Sequence, residues 1–316
     1  MTAALVAEGL TAGYRSRAVL HDVRLELDAG LHLLLGANGS GKTTLFRTLS
    51  GVLGPTSGRV LIDGRDPRCD LSAKAKVGVS SHRAALAPRL SVIDNLRYWA
   101  HIFALPPVAL EATVTRAVEL LDLSVIAGQR AGTLSRGQAQ RVSVARALVG
   151  DPLVLLLDEP FAAVDPGVAA QLRDHLRSLA AAGRTLVVST HELAEANRLG
   201  EDVTVLADGR IVGHGPVGSL RETLVGTGYQ LRLRGTDNLD NTLRGLGYEP
   251  QAADNGAVTV EIANEIAVES LVAELVAAGV GVREVTPASN PLEDIYLGLQ
   301  HSGSRNNAPE ADGAGR

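Results

Sequence analysis

Apolar and polar residues alternate through Val23, Leu25 and Leu27, and a period of two predicts a strand over residues 23–27. A shorter run predicts another strand over residues 5–8, and further strands are expected at 59–62 and 77–80. Leu31, Leu33, Leu34 and Leu35 form an apolar run that breaks at Gly36 and becomes a helical pattern after Lys42. Residues 91–150 read as mostly helical, with Ser91 as an N-cap, an interruption at Pro106-Pro107 and a helix over 110–121. Two short apolar runs at 153–157 and 185–189, the second bounded by Thr185 and Ser189, have the pattern of parallel-sheet strands buried on both faces, and they flank a helix at 169–182. Asp208-Gly209 between candidate strands at 203–206 and 210–212 is a hairpin signal.

The pattern shifts near Gly226-Thr227-Gly228. Beyond it, strand 229–234, helix 239–246, strand 248–251, strand 257–262, helix 266–278 and strand 281–285 follow in βαββαβ order, the ferredoxin-like pattern. A last helix is expected at 291–299. The polar, glycine-rich residues 301–316 are expected to be disordered. The expected division is therefore residues 1–225, with a helical subdomain near 85–150, then an α+β domain at 226–300 and a tail at 301–316.

The break after the first leucine run spells GANGSGKT over residues 36–43. That is G-x-x-x-x-G-K-T between a strand and a helix, a phosphate-binding loop. Gly36, Gly39 and Gly41 lack a Cβ, so the backbone can curl and aim N–H groups at anionic oxygens. Asn38, Ser40 and Thr44 complete the loop, and the helix beginning near Lys42 adds unpaired N–H groups and a positive dipole end. Lys42 is expected to reach the β- and γ-phosphates of a nucleotide, and Thr43 to place its hydroxyl on Mg²⁺. Downstream, the apolar run 153–157 delivers Asp158 and Glu159 to a strand's C-terminal end. Asp158 is a second candidate Mg²⁺ ligand, and Glu159 is placed to polarise an attacking water. Between these lies LSRGQ, residues Leu134, Ser135, Arg136, Gly137 and Gln138, which opens a helix and offers a second anion site.

Composition narrows the partners. The chain has 316 residues and carries 30 Lys and Arg against 35 Asp and Glu, a formal charge of −5, so no basic field marks a nucleic-acid partner. Aromatics are 3% of a chain that is 45% hydrophobic, so the core must be aliphatic. One cysteine, Cys69, permits no internal disulfide and fits a reducing compartment. No apolar run approaches the roughly 18–20 residues of a membrane span. A cytoplasmic chain is expected, with any membrane spans supplied by another polypeptide.

Taken in order, the phosphate loop, LSRGQ and LLLDEP resemble the ATP-binding-cassette (ABC) ATPases, whose signature is commonly LSGGQ; here Arg136 replaces its first glycine. The resemblance implies an α/β P-loop NTPase fold: a RecA-like mixed sheet plus a helical subdomain, followed here by the small α+β domain. It also implies that Asp165 lies in the D-loop, that His191 is the switch histidine acting with Glu159, and that Tyr14 stacks on adenine. His82 stands where the family usually has the Q-loop glutamine, a loop that touches Mg²⁺ and the membrane subunit. The implied function is an ATP-hydrolysing subunit, with ATP and Mg²⁺ as ligands. Two cassettes, a homodimer or this chain with a paired cassette, close head to tail on ATP, each nucleotide lying between one phosphate loop and the other cassette's LSRGQ. Closure drives a separate transmembrane permease, which places the chain at the cytoplasmic face of the membrane. SNPLEDIYLGL, residues 289–299, resembles the closing segment of ABC-2 type multidrug and antibiotic exporters. The alternative is a soluble cassette acting on ribosomes or nucleic acid. The absence of a second cassette and of coiled-coil or zinc insertions argues against it.

Overall fold

The computed structural model describes residues 3–295 except 16, 82–84, 104–105, 163, 191–192, 200–201, 225–228, 237, 263–265 and 289–294. The chain divides into two compact units, Met1–Pro216 and Val217–Arg316, so the division falls ahead of the Gly226-Thr227-Gly228 shift in composition.

The first unit is built on two sheets. β1 (Leu5–Tyr14), β2 (Arg17–Leu27) and, after β3 (Gly30–Leu35) and α1 (Lys42–Leu49), β4 (Ser57–Ile62) make an antiparallel sheet of order β2-β1-β4. β1 and β2 are much longer than their alternating segments. Gly9 at φ 59° and repeated register shifts break the period of two while the hydrogen-bonded ladder continues. The short α2 (Leu71–Ala75) leads into β5 (Val77–Ser80). Three helices follow: α3 (Val92–Ile102), α4 (Pro107–Leu120) and α5 (Arg136–Leu148). α3 is capped by Ser91, whose hydroxyl accepts from Asp94 N, and α4 begins on proline, where the missing N–H costs nothing.

β6 (Val154–Asp158), α6 (Pro166–Ala181), β7 (Thr185–Ser189), α7 (Leu193–Leu199), β8 (Asp202–Ala207) and β9 (Arg210–Pro216) complete the unit. The larger sheet runs β5-β6-β7-β3-β8-β9, parallel except for the β8–β9 hairpin at Asp208-Gly209. Every residue of β6 and β7 is buried, the apolar residues 154–157 and 186–188 filling both faces and the polar Asp158, Thr185 and Ser189 standing at strand ends. Because β7 lies between β3 and β6, register sets the chemistry. Ser189 pairs with Leu34 on one side and Asp158 on the other, so the phosphate loop and the two acidic residues emerge at one level, at the carboxyl ends of the strands. This mixed sheet with its helices is the α/β P-loop architecture that the sequence resemblance implies.

The second unit holds α8 (Val217–Leu224), β10 (Tyr229–Arg234), α9 (Leu239–Gly245), β11 (Gln251–Ala252), β12 (Val258–Ile262), α10 (Ile266–Ala277) and β13 (Glu284–Pro287). Its sheet order, β11-β12-β10-β13, antiparallel throughout, is the ferredoxin-like arrangement. Leu231, Leu233, Val260 and Ile262 pack on Leu239, Leu243, Leu271 and Leu275 in a core of its own. Two strands are displaced from the sequence reading. Only Gln251 of the 248–251 segment, together with Ala252 beyond it, pairs with β12, and β13 begins at Glu284, where Arg234 of β10 supplies its partner. Apart from a buried Ile295, the helix expected at 291–299 lies outside the described residues, as does the tail.

Candidate functional site

Gly41, the N-cap of α1, takes φ 108° and Gly39 takes φ 84°, conformations that L side chains rarely adopt. A Cβ at Gly36 would run into the Leu206 carbonyl oxygen and Ser40 Oγ, so the loop closes over β3 only with glycine there. Lys42, the first helical residue, is buried and curls back over the loop. Its Nζ donates to Gly36 O at 2.6 Å and Ala37 O at 3.1 Å. Burial pushes the ammonium below its ordinary value, and the nearby Asp158 and Glu159 oppose that shift. Ser40 Oγ is buried without a hydrogen-bond partner among the described residues.

Asp158 ends β6 under the loop. Ser189 Oγ donates to its Oδ1 at 2.5 Å and Thr43 Oγ1 to its Oδ2 at 3.3 Å, so the carboxylate bridges β7 and α1. Glu159 follows at φ 50°, a left-handed backbone for a residue with a long side chain. Its N–H is held by Ser189, at 3.1 Å to the carbonyl oxygen and 3.2 Å to Oγ. Its carbonyl accepts from Gln140 Nε2 at 3.2 Å, and that amide also reaches Asp158 O at 3.3 Å. Strain of this kind is kept where the surroundings over-determine it, and here three hydrogen bonds do so.

A cleft of about 530 Å³ opens between loop and strand end. Asn38, Gly39, Gly41, Lys42, Thr43, Thr44, Asp158 and Glu159 line it together with Val19 of β2. A buried cation, a hydroxyl and two carboxylates thus face one space large enough for a nucleotide's phosphates. Arg136 lines the same cleft from its own chain. The rest of LSRGQ is differently engaged. Ser135 Oγ accepts from Gln138 N at 3.3 Å and Gln138 Oε1 accepts from Ser135 N at 2.9 Å, a capping box for α5. Tyr14 does not line the cleft; Arg47 Nη1 donates to its hydroxyl at 2.9 Å, with the guanidinium 5.9 Å from the ring centroid. Asp165 occupies the N-cap of α6 without a side-chain capping bond. His82 and His191 lie outside the described residues.

Gln140, Ser189, Arg47 and Val19 were not singled out by the sequence reading. Ser189 stands beside the Thr190-His191 pair and was legible as the end of an apolar strand. The other three reach the site only through tertiary packing.

Comparison with known proteins agrees with this geometry. Residues 20–162 match the family model described as ABC transporter. The chain is 35% identical over 227 residues to the Nod factor export ATP-binding protein I of Neorhizobium galegae, a match covering 71% of this chain and 65% of that protein. It is 36% identical over 220 residues to the probable sulfate/thiosulfate import ATP-binding protein CysA of Chlorella vulgaris, covering 69% of this chain and 92% of the relative. Among solved structures, a dimeric ATP-binding cassette in a post-hydrolysis state bound to ADP and Pi superposes with a TM-score of 0.61 at 26% identity. That likeness covers 67% of this chain and 98% of the other.

Proposed function

We propose, for a chain that belongs to the ABC transporter family of ATP-binding proteins, the function of ATP-hydrolysing subunit of an exporter whose membrane-spanning subunit is a separate polypeptide. The observation that carries it is the convergence of Lys42, Thr43, Asp158 and Glu159 on one cleft. Lys42 and the loop N–H groups bind the β- and γ-phosphates, exchanging the carbonyls that Lys42 now holds for charged oxygens. Tyr14 offers its ring to the adenine. Glu159, its backbone pinned by Ser189 and Gln140, accepts a proton from the attacking water, and the γ-phosphoryl group leaves as inorganic phosphate. Thr43 and Asp158 present hard oxygen donors side by side and would hold Mg²⁺, whose charge when bound offsets that of the phosphates.

The second cassette is a further copy of this chain, its Ser135, Arg136 and Gly137 meeting the first copy's nucleotide, with Asp165 and His191 beside it. Support comes from the likeness to a dimeric cassette with ADP and Pi. The likeness to a Nod factor export protein and the SNPLEDIYLGL segment support the exporter assignment. No helix among the described residues is long and apolar enough to cross a membrane. A separate permease that supplies the spans, with this chain at its cytoplasmic face, belongs to the same proposal.

Turnover of the full chain with ATP and Mg²⁺ tests the chemistry. Glu159→Gln should retain ATP binding and lower turnover by roughly 10²–10⁴-fold, the loss expected for a positioned general base. Near-normal turnover in that variant would remove Glu159 from the reaction.

A further inference from the structure

Helix α5 carries a seam of buried polar residues that the nucleotide motifs do not account for. Gln140, Ser143 and Arg146 are 6%, 0% and 7% exposed. Spaced three apart, they fall within about 120° of one helix face over a length of about 9 Å. Each holds something different. Gln140 donates to the Asp158 and Glu159 carbonyls. Ser143 Oγ accepts from Ser80 Oγ, at the end of β5, at 3.2 Å. Arg146 Nη2 donates to Val79 O at 2.9 Å and its Nη1 to Ala85 O at 2.7 Å, bonding the chain on both sides of His82. Its guanidinium also lies 4.9 Å from the Trp99 ring centroid on α3. Past that loop, Asn95 of α3 accepts from Ala87 N at 2.8 Å and donates back to Ala87 O at 3.2 Å.

Among the described residues no carboxylate pairs with Arg146. Burial lowers its basicity from the ordinary value. A desolvated cation held by two carbonyls and an aromatic face is an expensive way to fill a core position, which an apolar side chain of similar length would fill more cheaply. What the guanidinium adds is a fork that fixes two carbonyls six residues apart in the chain.

We propose that Gln140, Ser143 and Arg146 make α5 a rigid connector that sets residues 79–80, Ala85 and the Asp158–Glu159 backbone in one fixed relation, with Arg146 as the positioning residue at the end nearer Val79 and Ala85. A displacement at that end then moves α5 and, through Gln140, the peptide on which the Glu159 side chain is mounted. The same connection works in reverse. The functional weight of this connector rests on the proposed ATPase reading, but its existence does not.

Hydrogen–deuterium exchange of the full chain without nucleotide reads the connector directly, beside kcat and KM for ATP. Arg146→Met should raise exchange by about tenfold at residues 79–80 and 85 and at 158–162, with β3 and β7 unchanged. Gln140→Leu should do the same from the other end, since coupling is reciprocal. In turnover, Arg146→Met should lower kcat by about tenfold with KM nearly unchanged, and the double variant should cost less than the product of the singles. Arg146→Lys, which keeps the charge and can keep one carbonyl bond, should lie between native and Arg146→Met on every readout and carries the test if the methionine variant does not fold. Exchange that rises only at the mutated end, or rises throughout the protein, overturns the connector, as do multiplicative effects on kcat. A native chain with no turnover would instead contradict the ATPase reading while leaving the exchange result to stand.

Discussion

Single residues in this cleft hold positions they would not take alone. Lys42 is buried against two loop carbonyls, Glu159 sits at φ 50°, and Ser40 Oγ is left without a partner among the described residues. Ligand charge relieves such arrangements, because phosphate oxygens give a buried ammonium the partners that water would have given. Tyr14 is the residue whose role depends most on the nucleotide. Its side of the fold is anchored by Arg47, which bonds the hydroxyl and leaves ring surface for a base. Tyr14→Ala should weaken ATP binding by roughly 1–3 kcal/mol, the range for one base stacked on an aromatic ring. Isothermal titration with ATP and with inorganic triphosphate checks this, since only ATP affinity should fall; equal losses for both would place Tyr14 outside the base site. The phosphate loop and the Asp158-Glu159 pair were legible because each is local, a glycine pattern or a charge pair at the end of an apolar run. Arg47 and Gln140 were not, since they lie 33 residues from Tyr14 and 18 from Asp158 in sequence, and only packing joins them.

At the scale of elements, the buried parallel strands were the most readable, because burial on both faces forces continuous apolar runs. β1 and β2 were read too short because their ladders continue through bulges where side-chain alternation fails. LSRGQ shows the limit of motif reading: the same residues that suggest an anion site also complete a capping box, and in the described structure Ser135 and Gln138 satisfy each other. Capping also yields a pH prediction at α2. Asp70 Oδ1 accepts from the Ser72 hydroxyl at 2.6 Å and from the Ser72 and Ala73 N–H groups at 2.7 and 3.2 Å. The Ser72 hydroxyl, then the Ala73 N–H, hold this carboxyl well below the usual carboxylate range, with Arg65 adding to the shift. A carboxyl depressed in the folded state stabilises it above the unfolded value of about 3.9, and that contribution is lost as pH falls further. Asp70→Ala should therefore melt below the native chain at pH 7, with the gap narrowing progressively below about pH 4. Thermal unfolding followed from pH 7 to pH 2.5 checks it; a gap independent of pH would mean the carboxylate charge contributes nothing.

For the molecule as a whole, the division into two compact units decides what can be removed. Among the described residues, one buried cluster of the first unit runs from Leu5 to Leu206 and one of the second spans Leu231 to Val280. Among the described residues, those lining the cleft all lie between Val19 and Glu159. Residues 1–224 alone should fold and bind ATP within about threefold of the full chain, since sites without shared partners behave independently. Insolubility or lost binding would mean the two units depend on one another. The ferredoxin-like order was readable at this scale because its short strands and helices follow one another with clear turn signals. The point of division was not, because α8 continues directly from β9 with no break in composition.

On the proposed function, ATP closes two copies of this chain and hydrolysis assisted by Glu159 reopens them. The most direct test is the mass of Glu159→Gln by light scattering during size exclusion, with and without ATP and Mg²⁺. A monomer without nucleotide that becomes a dimer with two ATP retained is the predicted result, with ADP giving no dimer. A variant that binds ATP yet keeps one mass under every condition would contradict the account.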